Sequence, residues 1–167
     1  FDCSSTSSQN YRTIGLAYVL ATDLASGLHA STSTCGSSGA ARGYAVVLGG
    51  SRRIRLVRFE GGLRNGTLTT IVESSTFSSV SSYFSVRVTF DTTTSTWRLE
   101  ARSDGSSSFS DPAAGTYSFS GMALDATHTS IPLGFSGPYF QTGCSGLCSS
   151  TYVASFDNVR VGVRCAP

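Results

Sequence analysis

Apolar and polar residues alternate with a period of two along most of this chain, and no helical period lasts beyond a turn or two. Alternation of that kind sends successive side chains to opposite faces of an extended strand, so one face can turn inward while the other meets water. Strand-like runs cover residues 14–21, 43–48, 52–59, 67–73, 83–91, 96–103, 116–124, 131–136 and 151–164. The breaks between them carry turn chemistry, as in Gly49-Gly50, Gly61-Gly62, Asn65-Gly66, Asp104-Gly105 and Asp111-Pro112. The pattern specifies an all-β chain folded as a two-sheet antiparallel β-sandwich. No repeat or linker divides the 167 residues, so residues 1–167 read as a single domain with room for a core. Residues 31–41, rich in Ser, Thr, Gly and Ala, read as a long loop.

One hairpin can be read down to its register. Phe84, Val86, Val88 and Phe90 share a face, as do Trp97, Leu99 and Ala101, and residues 91–96 carry the turn. Keeping the apolar faces together while pairing Phe90 with Trp97 sets Val88 beside Leu99 and Arg87 opposite Glu100. A slip of two residues would bring Arg87 against Arg98 or Arg102, a like-charge clash. Trp97, the single Trp, is therefore expected in the core. The last run breaks phase: Val159, Val161 and Val163 point one way, and strict alternation sends Phe156 the other way. Either a bulge returns Phe156 to the core or this strand is buried on both faces.

Composition narrows the partners. Charged residues make up 13 % of the chain, its net charge is +2, and Ser and Thr supply roughly three residues in ten. That balance argues for neither nucleic acid nor an anionic membrane, and no run is long enough to insert in one. All twelve cations are Arg, whose planar fork suits carboxylates across strands. A chain opening at Phe1 reads as a mature or excised piece, with any signal peptide or sorting tail outside it. Five Cys in a hydroxyl-rich chain suggest disulfides and an extracellular setting. Cys3 and Cys165 would staple the termini, contributing on the order of 4–5 kcal/mol in a chain-entropy account. Cys144 and Cys148 are spaced to clip a surface loop. Cys35 is left free, or joined to a loop Cys or to a neighbouring chain. A metal site of Cys35, Cys144, Cys148 and a His matches no common zinc spacing.

The run Phe156-Asp157-Asn158-Val159-Arg160-Val161 resembles the final core strand of concanavalin A-like (LamG-like) lectin/glucanase jelly rolls. Residues 43–50 followed by Ile54-Arg55-Leu56-Val57-Arg58-Phe59 look like their paired early strands, and residues 83–88 followed by Trp97-Arg98-Leu99 like their middle hairpin. The resemblance spans roughly residues 43–164 and points to modules of Bacteroidota-type bacterial surface proteins. It implies a jelly roll with one concave sheet, loops along its rim, and members that bind glycans, cleave them or serve as architecture. It also implies a structural calcium ion at Asp157 with Asp2 and Asp125 as partners; the alternative is that Asp157 accepts backbone N–H bonds at a bulge. No other cofactor is expected. Asp91-Thr92-Thr93 resembles the O-glycosylation sequon of that bacterial group, which makes Thr92 the expected acceptor. Asn65-Gly66-Thr67 fits N-glycosylation and reads equally as a turn.

The chemistry favours binding over catalysis. Glycosidases of this fold need closely spaced carboxylates, and Glu60, Glu73 and Glu100 have no acid two positions away. His29 and His128 lie in polar contexts and read as surface residues, and no Gly-x-Ser-x-Gly elbow is present. Tyr139, Phe140 and Gln141, with Tyr152 beyond the Cys144–Cys148 loop, form the densest cluster of sugar-platform residues; alternatively, Phe140 packs inward and Tyr139 is ordinary surface. The expectation is a non-catalytic extracellular adhesion module that contacts glycans through rim loops or the concave face. Two alternatives stand beside it: a subunit that assembles with neighbouring copies into an extracellular fibre, and a divergent glycoside hydrolase.

Overall fold

Eight strands arrange themselves as two antiparallel sheets in a computed structural model that describes residues 17–28, 39–48, 52–63, 66–77, 83–130, 133–139, 156–157 and 159–160. The strands are β1 (Ala17–Thr22), β2 (Arg42–Leu48), β3 (Ile54–Glu60), β4 (Thr67–Glu73), β5 (Tyr83–Asp91), β6 (Thr96–Gly105), β7 (Phe119–Leu124) and β8 (Phe135–Tyr139). A 3-10 turn, Ala25–Gly27, follows β1. The larger sheet has the order β4-β3-β2-β1-β8 and the smaller β5-β6-β7. The chain is thus the all-β sandwich its alternation specifies.

The smaller sheet behaves as a half-solvated antiparallel sheet should. Phe84, Val86, Val88 and Phe90 pack inward beside Trp97, Leu99 and Ala101. Phe90 pairs with Trp97, Val88 with Leu99 and Arg87 with Glu100, as the charge argument requires. On the outer face Arg87 Nε donates to Glu100 Oε2 at 2.6 Å. Opposite, Tyr44, Ile54, Leu56 and Val72 of the larger sheet complete this core, and the Trp97 ring lies 4.4 Å from that of Tyr44.

The larger sheet is apolar on its other face as well. Ala17, Val19, Ala45, Val47, Val57, Phe59 and Leu63 form a second buried cluster, with Leu28, Leu68 and Tyr139 packed against it. At one end the turn after β1 is tied over this face. Ala41 N–H donates to the Gly27 carbonyl, Gly62 N–H to that of Ala41, and Leu63 N–H to that of Leu28. Gly62 sits at φ +85°, and a Cβ there would meet the Leu28 carbonyl oxygen at 2.7 Å, so this crossing requires glycine.

Several expectations need correction. The strand placed at 131–136 is Phe135–Tyr139, because residues 126–130 turn back on themselves through the Thr129 N–H bond to Ala126 O and Leu133 points into the first core. The run at 116–124 begins only at Phe119, because Tyr117 is drawn out of line to donate to Pro112 O at 2.6 Å. Within 151–164 the described residues carry no ladder, and Phe156 and Val159 are exposed; the Phe156 ring meets that of Tyr18 at 6.1 Å rather than filling a core position. His128, read as a surface residue, is only 4 % exposed. Cys3, Cys35, Cys144, Cys148, Cys165, Asp2, His29, Asn65, Phe140, Gln141 and Tyr152 lie outside the described residues.

Candidate functional site

A hollow opens where β1 and β8 lose step. Val19 pairs with Gly137 and Thr22 with Phe135, so Leu20 and Ala21 together face Ser136 alone. Two residues opposite one make a bulge, which bends and twists the bulged strand. The 3-10 turn then stands over the parted strands and leaves a cavity of ≈ 180 Å³ lined by Val19, Thr22, Ala25, Leu28, Phe135, Ser136, Gly137 and Pro138. That volume is below the usual few hundred Å³ of an enclosed ligand site and suits a single ring. Phe135 stands at its edge, 51 % exposed.

Hydroxyls hold the hollow's shape. Ser136 Oγ donates to the Val19 carbonyl at 2.9 Å. Thr22 Oγ1 donates to the Arg42 carbonyl at 3.0 Å and accepts from Leu24 N–H at 3.5 Å. Beside it the Asp23 carboxylate takes the Arg42 N–H at 2.7 Å and the Arg42 Nε at 3.0 Å. Burial pushes the Asp23 pKa up, but the Arg42 backbone and side-chain bonds outweigh it and leave the carboxyl below its usual range. Of the expected platform residues, Tyr139 closes β8 next to this hollow, opposite Ala17, half-buried against the second core.

A different kind of cluster lies where the residues after β7 cross β2 and β3. Asp125 is its centre. Tyr44 OH donates to Asp125 Oδ1 at 2.9 Å, Thr127 N–H donates to the same oxygen at 3.0 Å, and Arg58 Nη1 donates to Asp125 Oδ2. Arg58 also reaches Thr127 Oγ1 at 2.7 Å. Trp97 Nε1 donates to the Asp125 carbonyl at 3.1 Å, and His128 N–H donates to the Tyr44 hydroxyl at 3.0 Å. Burial, with the Asp125 contact added, pushes the Tyr44 phenol up to about 12. Burial raises the Asp125 pKa too, yet the Thr127 and Tyr44 bonds and the Arg58 charge more than offset it, so the carboxylate stays ionised. His128 Nε2 lies 3.6 Å from Glu60 Oε1, while Arg58 Nε approaches the same oxygen at 3.9 Å.

Other carboxylates are similarly engaged. Glu73 contacts Arg53, Glu100 contacts Arg87, and Asp104 accepts from Arg102 Nε at 2.8 Å. Among the described residues no three of His, Cys, Asp and Glu are grouped to hold a metal ion. Asp157 is exposed, and Asp125, its expected calcium partner, has its carboxylate committed to Tyr44, Thr127 and Arg58. Asp2, the other expected partner, lies outside the described residues. At the β5–β6 turn Thr92 is exposed. Asp91 folds its carboxylate onto Thr93 N–H at 2.9 Å and Thr94 Oγ1 at 2.9 Å, leaving Thr92 at the tip.

Neither the hollow nor the Asp125 cluster is marked in the sequence. The bulge that makes the first has no glycine or proline on β1, and the second joins residues 81 and 84 positions apart. Phe135 and Pro138 in a short strand are the only local signal for the hollow. No protein-family model matches the chain, and neither a curated protein nor a solved structure matches it.

Proposed function

We propose that this chain is a non-catalytic, extracellular module of a bacterial surface protein that adheres to glycans, with the β1–β8 hollow as the contact. The observation that carries this reading is Phe135, an aromatic ring left half-exposed at the edge of a ring-sized depression whose described lining residues include no carboxylate, His or Cys. Aromatic rings beside a few fixed polar groups suit the C–H faces and hydroxyls of sugars. The jelly-roll form of the sandwich accompanies this reading. A hydrolytic role is less favoured, because Glu73 and Glu100 are paired with Arg and Glu60 lies near Arg58. Thr92, presented at a turn tip, is the proposed acceptor of an O-linked glycan, which the intact mass of native protein and of Thr92→Ala would reveal.

The test is saturable binding on a glycan array. Wild type is expected to bind at least one saccharide class, and Phe135→Ala to weaken that binding by roughly tenfold or more. If no saccharide binds, or if Phe135→Ala binds as well as wild type, the assignment fails. Assembly into a fibre is the second reading, favoured by Met122 and Leu124, which stand largely exposed on β7, an end strand of the described sheet. Filaments in electron micrographs of wild type, absent for Met122→Glu, would support it.

A further inference from the structure

The chemistry of the hollow's wall says which sugars it accepts, an inference that rests on the glycan-binding reading above. Among the described residues the lining carries no charged residue, and its only side-chain hydroxyls are those of Thr22 and Ser136. A hydroxyl has one hydrogen to donate. Thr22 spends its hydrogen on the Arg42 carbonyl and Ser136 on the Val19 carbonyl. The nearby Arg42 guanidinium is paired with Asp23 at 3.0 Å. Among the described lining residues no side-chain donor is therefore left for an anion, and an acidic group pressed against this wall would lose water without replacement bonds. The Ser136 oxygen keeps acceptor capacity for a ligand O–H, while Val19, Leu28, Phe135 and Pro138 offer apolar surface.

We infer that the β1–β8 hollow selects one neutral sugar unit that presents a C–H or methyl face, with a 6-deoxyhexose favoured over its parent hexose and a hexuronate rejected. The ring fits the ≈ 180 Å³ volume, its methyl group meets the apolar side, and a ring hydroxyl donates to Ser136 Oγ. The Phe135 ring lies along its C–H face.

The experiment is a titration of the whole chain with three methyl glycosides: a 6-deoxyhexoside, the matching hexoside and the matching hexuronide. The 6-deoxyhexoside is expected to bind roughly 3- to 10-fold tighter than the hexoside, and the hexuronide at least about tenfold weaker than the hexoside. Phe135→Ala should weaken both neutral ligands. Ala25→Lys, which adds a cation to the rim, should raise hexuronide affinity while leaving the fold intact. If the hexuronide binds wild type as tightly as the hexoside, the selectivity is wrong and the glycan-binding reading survives. If Ala25→Lys leaves all three affinities unchanged, the hollow is not where the sugar sits. If neither these glycosides nor any arrayed oligosaccharide binds, both readings fall.

Discussion

The Asp125 knot and the β1–β8 hollow both draw on the larger sheet and are made of opposite materials. In the knot, β2, β3, β6 and the residues after β7 converge through charged and hydrogen-bonding groups, and both oxygens of the central carboxylate are taken. In the hollow, a backbone irregularity parts two strands, the hydroxyls are turned back into the chain, and an aromatic ring faces outward. Groups bound to one another hold chain segments in place and leave little for a visitor. A surface that satisfies its polar atoms internally and leaves apolar area open is shaped for contact. The difference teaches that the Asp125 cluster fastens chain segments together, while the proposed contact uses an apolar depression.

The comparison breaks most easily at Asp125. Asp125→Ala strands a partly buried guanidinium along with the Tyr44 hydroxyl, and should cost about 3 kcal/mol in urea unfolding. A loss under about 0.5 kcal/mol would mean the knot fastens nothing. The same group sets an acid limit. Its folded pKa is depressed, so its contribution is complete above the unfolded value of about 3.9 and disappears as pH falls through the folded one. A pH series should show a loss of stability below about pH 4 that Asp125→Asn lacks. Tyr44→Phe removes one donor to Asp125 and one acceptor for His128 N–H, for an expected loss of about 1–2 kcal/mol. Phe135→Ala should change stability by less than about 0.5 kcal/mol while altering binding; a loss near 2 kcal/mol would make that ring part of the core and erase the contrast. The smallest effect belongs to Arg87 and Glu100. A double-mutant cycle should return a few tenths of a kcal/mol, because this pair lacks the burial of the knot.

What could be read ahead follows from the range of the forces involved. The β5–β6 register was legible because two local rules, apolar faces together and unlike charges opposed, admit one alignment. Trp97 was legible for the same reason. His128 was not, since nothing near it in the chain reveals that Asp125 folds the segment against Tyr44 and Arg58. The start of β8 is hard to read because Leu133 extends the apolar run ahead of Phe135, although it packs into the core outside the ladder. Tyr139 ends the strand beside the opening, but what makes the opening is a two-against-one pairing that no side-chain pattern encodes.

The sheet with two covered faces also limits how this protein can change. In β2 and β3, Gly43 to Val47 and Ile54 to Phe59 are at least half-buried throughout, so each of these positions answers to a packed neighbour on one side or the other. Drift has little room there. Descendants that acquire new preferences would do so by rewriting the turn after β1 and the short strand β8, while the middle of the sheet stays as an inherited partition.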